Sequence, residues 1–505
     1  MPSCKLLLLT ALALAAPASA AGAEQDAQRS DRAIKAFQER QFESAAAQFA
    51  ALAEEGLSEE TRLKAEYYLA QSLFERGLYY SAFKRFLYVI EAGPNHPHYL
   101  KAVEGIVAIS EALREDYLTG GLLDQEYNDE FAKLPLETLQ KINYIVGAVS
   151  YRKGKLEEAL GFLSAVPAES AYYARARYLQ GIILNRRGKS EEAIGAFNEI
   201  LDKLSDSPKL TYTGLANVRE LARLGLARVY FGMGRYADSS ATYDTVPRFS
   251  EYWDEALFEN GWARFQNDDW GGALGSLQAL HAPQFAGSFQ PESWILKATV
   301  YYYACLYDDS KAALEAFDKI YLPIAQKTQA LLEADQSNEY YVGLMSAESQ
   351  VLPKSVKSYL RANHRFVQLT GLAEQARKES EIVRASSALQ GTKLQQELLA
   401  YLEQNRAGAV GKAGELVKLR LADAAKTVTG LDGQKEILKF EVAKAETSAL
   451  EARFDSKKQL QAEPIWRPKI PATNWEYWQF QGEFWLDEIG YYQYTLKSGC
   501  RKQDD

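Results

Sequence analysis

Apolar residues recur along the first two thirds of the chain at the three-and-four spacing of amphipathic α-helices, in stretches grouped two by two around short turns. The grouping is periodic. Gly147 and Gly181, Gly154 and Gly188, and Ala159 and Ala193 each stand 34 residues apart, which marks a helix pair as the repeating unit. Anchored on its turn, the frame extends both ways. Unit 63–96 carries Leu69-Ala70 on its first helix, Gly77 and Tyr79 at the turn, Ala82 and Phe86 on its second helix, and Pro94 at its end. Unit 140–173 carries Gly147, Gly154, Ala159 and Leu163, and unit 174–207 carries Gly181, Gly188, Ala193 and Phe197. Unit 220–253 follows with Ala227, Gly234, Tyr236 and Tyr243, and unit 254–287 with Gly261, Trp270, Ala273 and Leu277. Weaker matches flank these: 26–59 keeps Ala33, Phe42, Ala45 and Phe49, 291–324 keeps Ala298, Tyr307, Ser310 and Leu314, and 97–139 has the length of one degenerate unit.

The reason for the pattern is steric. A Gly or Ala on the first helix lets the second helix approach closely, and the turn Gly supplies a backbone conformation that other residues adopt reluctantly. The Phe or Leu on the second helix fills the remaining space, worth ~1.5–3 kcal/mol when buried. No unit closes its core alone, so the units are expected to stack over residues 21–324. From 325 to 463 the period stops and long stretches rich in Ala, Glu, Gln, Leu and Lys appear, punctuated by Pro353, Gly371, Gly391 and Gly430. The stretches 392–404 and 431–454 suit an antiparallel helical hairpin, which either projects or folds back on the array. Residues 464–505 change character again: Trp466, Trp475, Trp478 and Trp485 are four of the eight Trp in the chain. This end reads as an extended segment over 466–474 and a short amphipathic helix from Phe484 to Leu496. It either caps the array or binds a partner through Trp475, Trp478, Phe484 and Trp485.

The leader alters the setting. Lys5, the apolar run Leu6 to Ala16 and the small residues Pro17-Ala18-Ser19-Ala20 read as a signal peptide over 1–20, cut at Ala20/Ala21. The run is too short to span a bilayer, which needs ~20 residues, and no later segment qualifies. Cys4 precedes the run, so no lipobox is present. Removing the leader takes Lys5 from the 58 basic residues and none of the 67 acidic ones, moving the net charge from −9 to −10. That balance argues against nucleic acid as a partner, and the interspersed charges read as solvated helix faces. Only Cys305 and Cys500 then remain. Cys305 stands at a turn position that other units give to Gly; it is either a small-residue substitute or half of a disulfide to Cys500, reasonable in an oxidising compartment.

Candidate chemistry is thin. His96, His98, His281 and His364 form no metal-binding spacing, Gly120-Gly121 and Gly271-Gly272 lack the Lys-Ser/Thr sequel of a phosphate loop, and no nucleophile motif is present. Neither a cofactor nor catalysis is expected. The fifth and twelfth positions of the five stronger units hold Tyr67 and Phe74, Tyr144 and Tyr151, Tyr178 and Asn185, Leu224 and Phe231, and Phe258 and Phe265. With Trp262 and the arginines Arg152, Arg186 and Arg228, this is an aromatic column suited to protein contact. Packing between neighbouring first helices accounts for it equally well.

Residues 26–324 resemble the tetratricopeptide family, which implies an all-α, right-handed solenoid whose first helices line a concave groove. VYYYACLYDDSKAALEAF at 300–317 and WEYWQFQGEFWLDEIGYYQYTLKSGC at 475–500 are similar to periplasmic tetratricopeptide proteins of the myxobacterial adventurous gliding machinery. This resemblance implies a non-enzymatic periplasmic scaffold that joins an inner-membrane motor or transport assembly to outer-membrane components. A chaperone or assembly factor for outer-membrane or polysaccharide-secretion components is the second reading, and an enzyme acting on the cell wall the third.

Overall fold

The computed structural model describes residues 16–56, 58–113, 116–202, 215–455, 480, 482–494 and 496. Among these it is all-helical, and it divides into two compact units, one of residues 1–176 with 367–412 and the other of 177–366 with 413–505. The first unit is built on the pairs α1 (Ala16–Gln38) and α2 (Phe42–Glu55), α3 (Glu59–Glu75) and α4 (Tyr79–Glu91), α5 (Tyr99–Leu113) and α6 (Tyr117–Gln125), and α7 (Leu136–Arg152) and α8 (Leu156–Ser164). Helix α9 (Tyr173–Arg186), which belongs to the second unit from Arg177 on, pairs with α10 (Ser190–Asp202). There follow α11 (Leu215–Gly232) and α12 (Tyr236–Tyr243), α13 (Trp253–Gln266) and α14 (Trp270–Leu280), and α15 (Glu292–Tyr303) and α16 (Tyr307–Glu333).

Seven of these pairs close through one turn. The chain leaves the first helix through a left-handed residue: Arg40, Gly77, Gly154, Gly188, Gly234, Asp268 or Cys305, with φ from 56° to 82°. The N–H of that residue donates three residues back, and the next N–H donates five residues back, as in Leu78 to the Leu73 carbonyl at 2.9 Å and Leu306 to the Tyr301 carbonyl at 2.8 Å. This is the Schellman arrangement, which satisfies carbonyls that a helix end leaves without partners. Glycine adopts it freely, whereas Arg40, Asp268 and Cys305 carry a cost of ~1–2 kcal/mol. The turn itself therefore outlasts the glycine signal.

Seven residues before each left-handed turn stands Ala33, Ala70, Gly147, Gly181, Ala227, Gly261 or Ala298, all buried. Opposite, the second helix buries Ala45, Ala82, Ala159, Ala193, Ser239, Ala273 or Ser310. Where that residue is Ser, its hydroxyl donates to the first helix's carbonyl: Ser239 Oγ to Ala227 and Ser310 Oγ to Ala298, both at 2.9 Å. A Cβ on Gly181 would stand 2.8 Å from the Phe197 ring, and one on Gly147 2.8 Å from Leu163. These glycines are thus absences that the large residue fills. The degenerate stretch departs from the rule: α6 is followed by a 3-10 turn over Asp129–Lys133 that buries Phe131 in the core of the first unit.

Beyond α16, which runs on through Pro323, come α17 (Asn338–Gly343), α18 (Lys354–Arg361), α19 (His364–Ala385) and the 63-residue α20 (Lys393–Asp455). The hairpin expected between 392–404 and 431–454 does not form, because both stretches lie on the single helix α20. Gly408, Gly430 and Gly433 are tolerated inside it, since its buried stripe on the opposite face carries the packing. The chain reverses instead at Gly391, with φ 73°, between α19 and α20.

In the first unit α19 folds onto the repeats. Glu379, fully buried, accepts from the Tyr80 and Ser81 N–H groups at 2.8 and 3.1 Å, capping buried donors that the start of α4 leaves without helix partners. Arg85 pairs with Glu397 at 2.6 Å and Lys393 with Glu54 at 2.9 Å. In the second unit the later part of α20 lies against α16, where Lys435 pairs with Asp318 at 2.6 Å and Lys311 with Glu446 at 2.9 Å.

Candidate protein-binding surfaces

The first helices α3, α5 and α7 of the first unit together line a cleft of about 480 Å³. Tyr67, Gln71 and Phe74 come from α3, Lys101 and Glu104 from α5, and Lys141 from α7. Spacing of three and four along each helix brings these side chains to one face. Tyr67 is half-buried, stacked on His98 at 4.7 Å, with Lys101 Nζ 6.0 Å from its ring centre. Burial pushes its hydroxyl above the ordinary tyrosine range, helped by Tyr68 and Glu104, so it stays a neutral donor. Phe74 packs edge-on against Tyr79 at 5.5 Å. Lys141 is buried at the end of the cleft; burial lowers its ammonium's pKa while Glu111, at 3.2 Å, pulls it up. The result is an aromatic floor with an acid and a base within reach, suited to a polypeptide with mixed side chains.

Of the other aromatic positions, Tyr144 stacks on Tyr172 at 5.7 Å and Tyr151 is half-buried beside the turn. In the second unit Tyr178 lies 5.9 Å from Phe197, Phe231 edge-on to Tyr236 at 5.3 Å, and Phe265 between Trp262 at 5.9 Å and Tyr303 at 5.6 Å. Phe258 packs against the core of that unit. The nine aromatic side chains of the column are thus all partly buried, and each of those with a named neighbour carries part of the packing, while Leu224 is fully buried and Asn185 exposed. Arg228 is committed elsewhere: it forks onto Glu259 at 2.8–3.1 Å and reaches Glu255 at 2.6 Å, joining α11 to α13. Sequence reasoning missed Lys101 and Glu104, since 97–139 lacks the turn that anchors the frame, and Gln71 and Lys141, which stand at positions of their units outside the aromatic column. Gly105, whose added Cβ would lie 2.5 Å from Phe86, is the small-residue signal that was available there.

The aromatic C-terminal end docks within the second unit. The helix expected from Phe484 to Leu496 is absent: the chain makes a turn over 486–490 and the described residues after it have no regular secondary structure. Gly482 and Gly490 have positive φ of 108° and 96°, and together they favour turns over a helix. Ile489 is fully buried among Trp253, Tyr243 and Leu280, and Arg248 donates to the Leu486 and Asp487 carbonyls at 2.7 and 3.1 Å. The stretch after the turn lies on α14. Tyr494 N–H donates to the Gly271 carbonyl at 3.2 Å, and its hydroxyl donates to Gln278 at 3.1 Å. A Cβ on Gly275 would stand 1.8 Å from the Tyr492 carbonyl oxygen. Gly271 and Gly275, one turn apart, are therefore a landing strip, and the uncharged run Trp270–Leu280 is explained by cover on its outer side as well. Gly275→Leu is expected to lift this segment, raising amide exchange at 486–494 while leaving the α3–α4 amides unchanged.

Phe484 faces this seat, whereas Trp485 is 60% exposed; Trp475 and Trp478 lie outside the described residues. Cys305 is disulfide-bonded, and Cys4 and Cys500 lie outside the described residues. We propose Cys500 as the other half. Non-reducing peptide mapping should recover a 305–500 linked pair, and two free thiols there would rule the bond out.

His96 and His98 pack the turn behind Tyr67: His96 Nδ1 accepts from the His98 N–H at 3.0 Å, and burial lowers both imidazole pKa values. Among the described residues no group of three His, Cys, Asp or Glu has metal-holding geometry, and no helix is long and apolar enough to cross a membrane.

No known family model and no curated protein matches the chain. Among solved structures it is similar to a tetratricopeptide repeat protein from Parabacteroides merdae, at 13% identity and a TM-score of 0.33, over 51% of this chain and 93% of that one.

Proposed function

We propose that this chain is a non-enzymatic protein–protein interaction scaffold of the bacterial periplasm, part of a complex that joins inner-membrane motor or transport components to the outer membrane. The observation that carries the reading is the cleft lined by the first helices α3, α5 and α7, with Tyr67 and Phe74 as its aromatic floor. Aromatic side chains supply contact area at low entropic cost, and the flanking Lys101 and Glu104 supply register. The leader over 1–20 and the resemblance of 300–317 and 475–500 to envelope proteins support the setting, with gliding motility as one process it would serve.

Tyr67→Ala combined with Phe74→Ala is expected to weaken capture of a crosslinked envelope partner by roughly tenfold or more while the chain stays folded. Loss of folding in step with loss of the partner would assign both rings to packing alone. Fractionation with N-terminal sequencing tests the compartment: a periplasmic chain beginning at Ala21 is expected, and a cytoplasmic chain beginning at Met1 would defeat that part of the reading.

A further inference from the structure

In the second unit α20 buries one face, through Leu421, Val428, Leu431, Lys435 and Val442. Its opposite face is bare and carries Lys426, Gly430, Gly433, Ile437, Phe440 and Lys444, all exposed and spaced alternately by four and three residues. That alternation is the seam of a two-helix coiled coil. Ile437 and Phe440 are 67% and 65% exposed. A Cβ on Gly430 or Gly433 would meet nothing within 4 Å. Two glycines in an exposed helix interior each cost about 1 kcal/mol relative to alanine, and the folded unit gives no return for them.

We propose that this stripe is the interface of an antiparallel homodimer, its occupant a second copy of the same chain. The stripe is complementary to itself about a two-fold axis beside Lys435. Gly430 lies five residues before that axis and Phe440 five after; Gly433 lies two before and Ile437 two after. Antiparallel pairing therefore sets each large side chain of one copy over a glycine of the other, in both layers at once. Parallel pairing would oppose Phe440 to Phe440 and Gly430 to Gly430, a crowded layer beside an empty one. The next layer outward brings Lys426 near the second copy's Lys444. Asp423 stands one turn from Lys426 and Glu441 one turn from Lys444, so each lysine meets a carboxylate diagonally across the seam. The inference is independent of the cleft in the first unit, but a dimer presents that cleft twice and would raise its avidity for a clustered partner.

Sedimentation equilibrium of the full chain over rising concentration tests it. A monomer–dimer equilibrium is expected. Ile437→Lys with Phe440→Lys should shift it to monomer with unchanged helical content, because neither side chain contributes to the unit's own core. Gly430→Phe alone should also dissociate the dimer, and Gly430→Phe with Phe440→Gly should restore it, since the exchange keeps a large residue opposite a small one. A chain that stays monomeric at every concentration overturns the proposal. So does a dimer that survives the double lysine variant. Failure of the exchange variant to regain the dimer overturns the antiparallel register.

Discussion

Gly225→Leu is expected to lower the stability of the second unit by about 1–3 kcal/mol, the range for overpacking a well-filled site. Phe197 is held between two glycines: Gly181 on the first helix of its own pair and Gly225 on α11, each of which would place a Cβ 2.8 Å from the ring. Neither side can give, because both are helix backbones fixed by their own pairs. Leucine is the better helix former by about 1 kcal/mol, so the expected loss is what remains after that gain. Phe197→Ala in the Gly225→Leu background should recover part of the loss, although Phe197→Ala alone is itself destabilising by about 3–5 kcal/mol. Chemical denaturation of the four variants completes the cycle. Strict additivity would mean that the ring and the new side chain do not compete for one space.

Glu379→Ala is expected to cost the first unit about 2–5 kcal/mol, since it strips partners from two buried N–H groups at the start of α4. The carboxylate also receives Ser81 Oγ at 3.0 Å and Gln375 Nε2 at 3.0 Å, so its removal loosens α19 as well. Burial raises the pKa of its carboxyl above the ordinary range, and the donors only partly offset this. The sign of the pH effect follows. The folded state binds the proton more tightly than the unfolded one, so this group's contribution is largest below the unfolded pKa and declines as pH rises through the folded pKa. Glu379→Gln should flatten that decline, and amide exchange across α4 and α19 as a function of pH measures it. An unchanged slope in the glutamine variant would place the titration elsewhere.

Both residues show what could be read in advance. Gly181 and Phe197 belong to the 34-residue frame, and their contact is the one that the frame implies. Gly225 stands at a position of unit 220–253 that the frame does not mark, and Glu379 lies outside every repeat: the first answers a ring in the preceding pair, and the second answers a helix start 298 and 299 residues away in sequence. The turns divide in the same way. Gly77, Gly154, Gly188 and Gly234 announce themselves, whereas Arg40 and Asp268 adopt the same left-handed conformation under the pull of the helices on either side.

What the amino-acid order determined by itself is the all-helical class, the helix pairs and the small-against-large contact inside each pair, because these depend on residues within one or two turns of a single connection. Tertiary structure alone decided what covers each remaining face. It set the C-terminal end on the glycines of α14 instead of in a helix of its own, drew 392–404 and 431–454 into one helix, brought α5 and α7 beside α3 to form the cleft, and left Ile437 and Phe440 bare. An amphipathic stripe states that a face is apolar. Only distant backbone can state what lies against it.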